Sequence, residues 1–174
     1  ARDHRVEVIV GQLELNDRFQ LAAQFATDKV TLGADAHPDV GFLFVGFALQ
    51  PIDPALDQVF RTARGRIIVA TFASVISRMQ QVINAAEHHK RKMAFVGTSM
   101  NENARMARKL GYLDAPDDLL VSVDQALHMK PSEIVLMCTG SQGEPSSILG
   151  RLSTGTNRQF DLVPGDTVVL SSHP

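Results

Sequence analysis

Ile134-Val135-Leu136-Met137-Cys138-Thr139-Gly140-Ser141-Gln142-Gly143-Glu144-Pro145 reads as a buried strand that runs straight into a glycine-bearing loop and then a helix. Five apolar residues in a row suit a strand covered on both faces, as in a parallel sheet. The small residues that follow let the backbone turn tightly and approach a ligand closely. Proline suits a first helical turn, so a helix is expected from about Pro145. A strand passing through a short loop into a helix is half of a βαβ unit.

The same construction recurs on both sides of this stretch. Arg66–Phe72 is a second apolar, β-branched strand. After it Ile76, Met79, Ile83 and Ala86 recur at three- and four-residue spacing, which predicts an amphipathic helix of about 13 residues with Arg78, Gln81, Asn84 and Glu87 on its other faces. Met93–Gly97 is a third strand, with Asn101 expected to cap the next helix and Gly111 to stop it. Thr167–Leu170 is a fourth, entered through the turn signal Pro164-Gly165-Asp166. This alternation defines an α/β fold: a parallel, doubly wound, flavodoxin-like sheet with helices on both faces. The N-terminal third is less regular. Val6–Val10 and Val30–Leu32 read as strands around a helix from Asp17 to Ala26. A composition shift at the apolar run 40–50 places a domain boundary between residues 36 and 52.

Length and composition bound the class of protein. The chain has 174 residues, of which 44% are apolar and 21% charged, enough for one sizeable core and unlike disordered, collagenous or low-complexity chains. The longest apolar runs, such as Val40–Leu49, fall far short of the roughly 20 residues of a membrane helix. Nothing at the start resembles a secretory signal. The one cysteine, Cys138, cannot form an internal disulfide and reads as a buried thiol, which points to a reducing, cytoplasmic setting. The ends, Ala1-Arg2-Asp3 without a methionine and Ser171–Pro174 directly after a strand, read as cuts from a longer chain.

The formal net charge is −2, but residues 61–113 carry ten basic and two acidic side chains while the remainder carries seven and seventeen. A basic island on an acidic body suits a groove for a polyanion. The plainer reading makes Lys90, Arg91, Lys92, Arg105, Arg108 and Lys109 solvated ends and faces of helices.

Three strand ends carry small hydroxyl residues: Thr71-Phe72-Ala73-Ser74, Val96-Gly97-Thr98-Ser99 and Thr139–Glu144. In a parallel sheet these share one edge, where α/β proteins bind their ligands, and free N–H groups at helix starts favour an anion. Neither a Walker loop nor Gly-x-Gly-x-x-Gly is present, and each loop alone also suits simple capping. No metal site assembles from spacing. The adjacent pair His88-His89 points about 100° apart on a helix and is expected at a solvated helix end. Asp35 and His37 are the only ligand-type residues at a strand end.

Taken together, the blocks Gly65–Ser74, Arg78-Met79-Gln80-Gln81-Val82, Arg91-Lys92 leading to Val96–Met100, Leu110–Leu113, Thr139–Pro145 and Pro164–Ser171 closely resemble, in order and spacing, the β-CASP domain of bacterial ribonuclease J. The resemblance covers residues 60–174. It implies a β-CASP portion at residues 46–174 and a partial metallo-β-lactamase-type segment at residues 1–45. Such enzymes are metallo-β-lactamase-fold nucleases in which RNA threads between the two domains and two zinc ions activate water for phosphodiester hydrolysis. They act as 5′-to-3′ exonucleases and as endonucleases in RNA processing and decay.

The resemblance implies RNA or phosphate contacts at Ser74, Arg78, Ser99, Thr139, Gly140, Ser141, Gln142, Gly143 and Glu144. Asp35 becomes the candidate bridging metal ligand and Asp53 the candidate catalytic acid. The His-x-His-x-Asp-His motif that holds most of the zinc is absent, so this piece is expected to be inactive alone. It is expected to partner the missing lactamase domain and, at full length, to form a homodimer or tetramer. Thr98 stands where many relatives carry arginine and Ser77 where many carry histidine, so some RNA contacts are expected to differ. With no Trp and one Tyr, phosphate contact outweighs base stacking. The competing reading is a non-catalytic flavodoxin-like module that binds a nucleotide or another phosphate.

Overall fold

A computed structural model describes residues 5–12, 42–46 and 54–172, with side chains from residue 54 to 171. Its strands are β1 (Arg5–Gln12), β2 (Phe42–Gly46), β3 (Ile67–Ala70), β4 (Lys92–Phe95), β5 (Ile134–Cys138) and β6 (Thr167–Ser172). Its helices are α1 (Pro54–Thr62), α2 (Ile76–His88), α3 (Thr98–Lys109), α4 (Val123–Leu127) and α5 (Ile148–Ser153). The sheet order is β2-β1-β6-β3-β5-β4. From β6 to β4 every neighbour is parallel, and β1 joins β6 and β2 antiparallel at one edge.

Burial explains the apolar runs. Every residue of β3 and β5 is buried, because helices cover both faces of the parallel sheet. On one face Met79, Val82, Ile83 and Ala86 of α2 and Met100, Ala104 and Ala107 of α3 pack with Ile67, Val69, Val135 and Met137. On the other, Ile148, Leu149 and Leu152 of α5 and Ala126 of α4 pack with Ile68, Ala70, Leu136 and Cys138. Odd and even strand positions therefore feed opposite cores, as the two-residue period requires.

Helix α2 spans the expected 13 residues, but Arg78 lies inside the fold at 2% exposure rather than on an outer face. Gly111 (φ +76°) ends α3 as expected: its N–H donates to Arg108 O at 3.1 Å and that of Tyr112 to Ala107 O at 2.8 Å, a paired closure of the last turn. Two helix starts differ from expectation. Asn101 lies within α3, whose cap is Gly97, and its amide donates to Phe95 O and Gly97 O at 2.9 and 2.8 Å. It secures carbonyls at the strand exit instead of capping amides. Pro145 precedes α5 by one turn. Ser147 is the cap, because its Oγ accepts from Gly150 N–H at 3.0 Å and donates to Glu144 O at 2.6 Å. The strand Val30–Leu32, the helix 17–26, Asp35 and Asp53 lie outside the described residues.

Candidate functional site

Because β3, β5 and β4 are parallel and in level register, with Ala70 beside Cys138 and Phe95 beside Met137, their exits share one edge of the sheet. The exits do not turn the same way. β3 leads into α2 on one face, while its neighbour β5 leads into α5 on the other. In open α/β sheets the usual ligand position is the crevice where adjacent connections diverge, and that point of the topology falls here. The loops 71–74 and 139–144 flank it.

Hydrogen bonds tie the three exits together. Thr71 N–H donates to Cys138 O at 3.0 Å, and Asn103 Nδ2 of α3 donates to Ala73 O at 2.8 Å. Leu149 N–H donates to Thr139 O at 3.0 Å. Gly97 (φ +92°) lies so close to Ile148 that an added Cβ would sit 3.2 Å from its side chain. The loop after β4 is thus packed on the start of α5.

Gly140 to Gly143 form a tight turn, closed by Gly143 N–H on Gly140 O at 3.2 Å. Gly140 is required twice over: its φ is +119°, and an added Cβ would stand 2.3 Å from Ser147 Oγ. Within this turn Ser141 is 7% exposed. Its Oγ, and Oε2 of Glu144, are buried with no hydrogen-bond partner among the described residues. Buried polar groups are ordinarily paired with protein or with water, and these two atoms lie three residues apart in one turn. Gln142 is exposed at the tip, and Ser74 and Ser99 are exposed at the neighbouring exits.

The structure therefore brings Ser74 and residues 139–144 to one crevice and puts Ser99 one strand further along. Arg78, in the first turn of α2, belongs to the same end of the sheet, but its burial makes it part of the wall. Gln81 was not singled out by the sequence. Its Oε1 is also buried and unpartnered among the described residues, on the second turn of α2. An ordinary amphipathic pattern gives such a residue no distinguishing mark.

Most of the basic island does not stand at the strand exits. Lys90 and Arg91 precede β4 and Lys92 begins it, so all three lie at the opposite edge. Arg91 is buried, its guanidinium donating to Ala63 O and Gly65 O at 2.5 and 2.9 Å, and burial lowers its pKa. Lys92 pairs with Asp118 at 3.0 Å, and this hydrogen bond is the main cause that lowers the Asp118 pKa. Arg108 pairs with Asp117 at 2.8 Å. Most of the island, residues 61–66 ahead of β3, 90–92 at the start of β4 and 108–109 at the end of α3, thus lies at the edge opposite the exits, because α2 and α3 run back across the sheet.

The three exit loops contain one carboxylate and no histidine, a donor set that does not fit a zinc pair. The pair His88-His89 lies at a helix end with His88 exposed, as expected. α2 ends at His88, His89 is its cap, and their ring centroids stand 4.9 Å apart, with Asp57 of α1 beside them. This group also lies at the edge opposite the crevice.

The fold defines a class: a doubly wound α/β domain with small-residue loops where its strand connections diverge. Comparison with known proteins narrows it. The family model "Ribonuclease J, beta-CASP domain" matches residues 64–174, and the chain belongs to that family, one of RNA-processing nucleases. Ribonuclease J of Mycobacterium tuberculosis (strain ATCC 25618 / H37Rv) is 46% identical over 128 residues, covering 74% of this chain and 23% of the relative. Ribonuclease J of Mycolicibacterium smegmatis is 45% identical over 121 residues, covering 70% and 22%. Ribonuclease J2 of Bacillus subtilis is 41% identical over 119 residues, covering 68% and 21%. The chain thus matches less than a quarter of the length of each of these relatives. No helix among the described residues is long and apolar enough to cross a membrane.

Proposed function

We propose that this chain is the RNA-gripping β-CASP portion of a ribonuclease J, a hydrolase of RNA phosphodiester bonds acting as a 5′-to-3′ exonuclease and an endonuclease. The observation that carries this reading is the unpartnered Ser141 Oγ and Glu144 Oε2 in the turn at the diverging strand exits. Ser141 offers a hydroxyl donor to a phosphate oxygen, and the N–H groups of a small-residue turn add backbone donors. Glu144 offers an acceptor of the kind that suits a ribose hydroxyl. Ser74, Ser99, Thr139 and Gln142 extend the polar edge along the strand ends. Such contacts recognise backbone rather than base.

Residues 46–174 are the β-CASP portion in this reading, and residues 1–45 go with the lactamase half. The zinc ions and their water-activating chemistry come from segments other than the three exit loops, so the isolated chain binds RNA without cleaving it. The whole enzyme works in the cytoplasm, with its lactamase domain as partner, and as a dimer or tetramer.

The test is binding of a 5′-monophosphorylated single-stranded RNA to the 174-residue chain at two salt concentrations, with hydrolysis followed with and without added zinc. Salt-sensitive binding without cleavage is expected. No binding at low salt overturns the proposal. Equal affinity for a lone mononucleotide would favour the flavodoxin-like nucleotide module instead.

A further inference from the structure

Asp57 of α1 and the two histidines that end α2 meet at the edge of the sheet opposite the crevice, and the proposed RNA-binding role leaves them without a task. One ligand-type atom from each of Asp57, His88 and His89 lies within 4.8 Å of the other two. Asp57 Oδ1 and His89 Nε2 are 2.8 Å apart. The His89 ring is steadied from below by Phe60, at 5.7 Å between centroids, and His88 stands edge-on to it at 82°.

We propose that Asp57, His88 and His89 form a site for a divalent transition ion of the zinc type, which clamps the start of α1 to the end of α2. Two imidazoles and one carboxylate, with a fourth position left to water, are a donor set such ions favour. Zinc bonds of about 2.0–2.2 Å set tetrahedral ligands roughly 3.4 Å apart. The widest present spacing therefore needs a contraction of about 1.4 Å, and the 2.8 Å pair of Asp57 Oδ1 and His89 Nε2 must open by about 0.6 Å. His88 is exposed and His89 and Asp57 half-buried, so side-chain torsions supply it without moving the helices.

Arg61 already pairs with Oδ2 of Asp57, leaving Oδ1 facing His89. A ligating carboxylate held on its outer oxygen is the usual support around a metal. The Arg61 side chain is 72% exposed, and an ion pair with so exposed a partner contributes little and yields readily. The site is structural: it fixes two helices and has no reach to the crevice, because α2 separates the two ends of the sheet.

The test uses the 174-residue chain with Zn2+ in calorimetric titration and thermal melting, and Co2+ as a spectroscopic probe. The expected result is one tight site, a raised melting temperature with Zn2+, and the visible absorption of tetrahedral Co2+. Replacing a ligand should weaken binding at least about tenfold, by comparison with the 10–100-fold loss typical of outer-shell changes. His88→Ala is the main variant, since its ring is exposed and stands only edge-on to His89. Asp57→Asn, which keeps the shape and a hydrogen bond to His89, is the second. Zn2+ binding of equal affinity in the wild type and in both variants, or no binding in the wild type, overturns the proposal. Neither outcome bears on RNA binding, which is measured without metal.

Discussion

Arg66 at the entry to β3 and Asp166 at the entry to β6 form a two-pronged ion pair across a hundred residues of chain, with Nε to Oδ1 at 2.7 Å and Nη2 to Oδ2 at 2.5 Å. The Asp166 side chain is 1% exposed, and its Oδ2 also accepts from Val163 N–H at 2.9 Å. Arg66 donates further to Asp161 O and lies 5.6 Å from the Phe160 ring centroid. One carboxylate thus fixes both the register of two parallel strands and the turn that introduces the second. Asp166→Ala leaves a buried guanidinium without its counter-charge and should destabilise the fold by about 3–5 kcal/mol. Denaturant unfolding measures this, and a loss under 1 kcal/mol would show that the pair contributes little.

Gly140→Ala meets two obstacles at once, a φ of +119° and a Cβ placed 2.3 Å from Ser147 Oγ and 2.8 Å from Leu149 Cβ. The expected cost is about 1–3 kcal/mol from the backbone alone. The displaced Ser147 should also loosen the start of α5. Hydrogen exchange at Gly150, whose N–H donates to Ser147 Oγ, should quicken more than exchange in β3. Equal protection throughout would contradict this account.

The parallel half of the fold was legible because the runs of β3 and β5 and the spacing of Met79, Ile83 and Ala86 are dictated by which faces must be buried. The loops after β3, β4 and β5 were legible as a shared edge for the same reason. Helix starts were less so, because Asn101 and Pro145 satisfy local rules that Gly97 and Ser147 satisfy better in three dimensions. Arg91, read as a solvated helix end, and Arg78, placed on an outer face of α2, are both buried. A long side chain can reach inward to carbonyls such as those of Ala63 and Gly65, and no periodicity announces it. His88 and His89 end α2 as the sequence suggests, but their neighbour Asp57 lies some thirty residues earlier, where no local spacing announces it.

Cys138 gives the pH prediction. Burial pushes its thiol from 9.0 up to about 12. The folded state therefore holds the neutral thiol, and its stabilising effect is full below pH 9, where both states are protonated. Above pH 9 the unfolded chain releases a proton that the folded chain keeps, so stability falls as pH rises towards 12. Cys138→Ala should flatten this alkaline limb of the stability profile. Alkylation of the wild type at pH 8 should be slow when folded and fast in denaturant. Rapid alkylation of the native protein would contradict the buried position.

Ser141 separates a binding role from a structural one. Its Oγ is buried without a partner among the described residues, so the fold loses no hydrogen bond when the hydroxyl is removed. Removing a buried polar group that makes no bond is neutral or stabilising. Ser141→Ala should therefore leave the unfolding midpoint unchanged or slightly raised. RNA affinity should fall by about 1–1.5 kcal/mol, roughly five- to tenfold, if the hydroxyl donates to a phosphate. The salt dependence should stay as it was, because no charge is removed. Glu144→Gln should likewise spare stability, and its effect should be larger on RNA than on the same strand of DNA if the carboxylate accepts from a ribose 2′-hydroxyl. Loss of stability with unchanged RNA affinity would make the turn a structural element and remove the observation on which the proposed RNA contact rests.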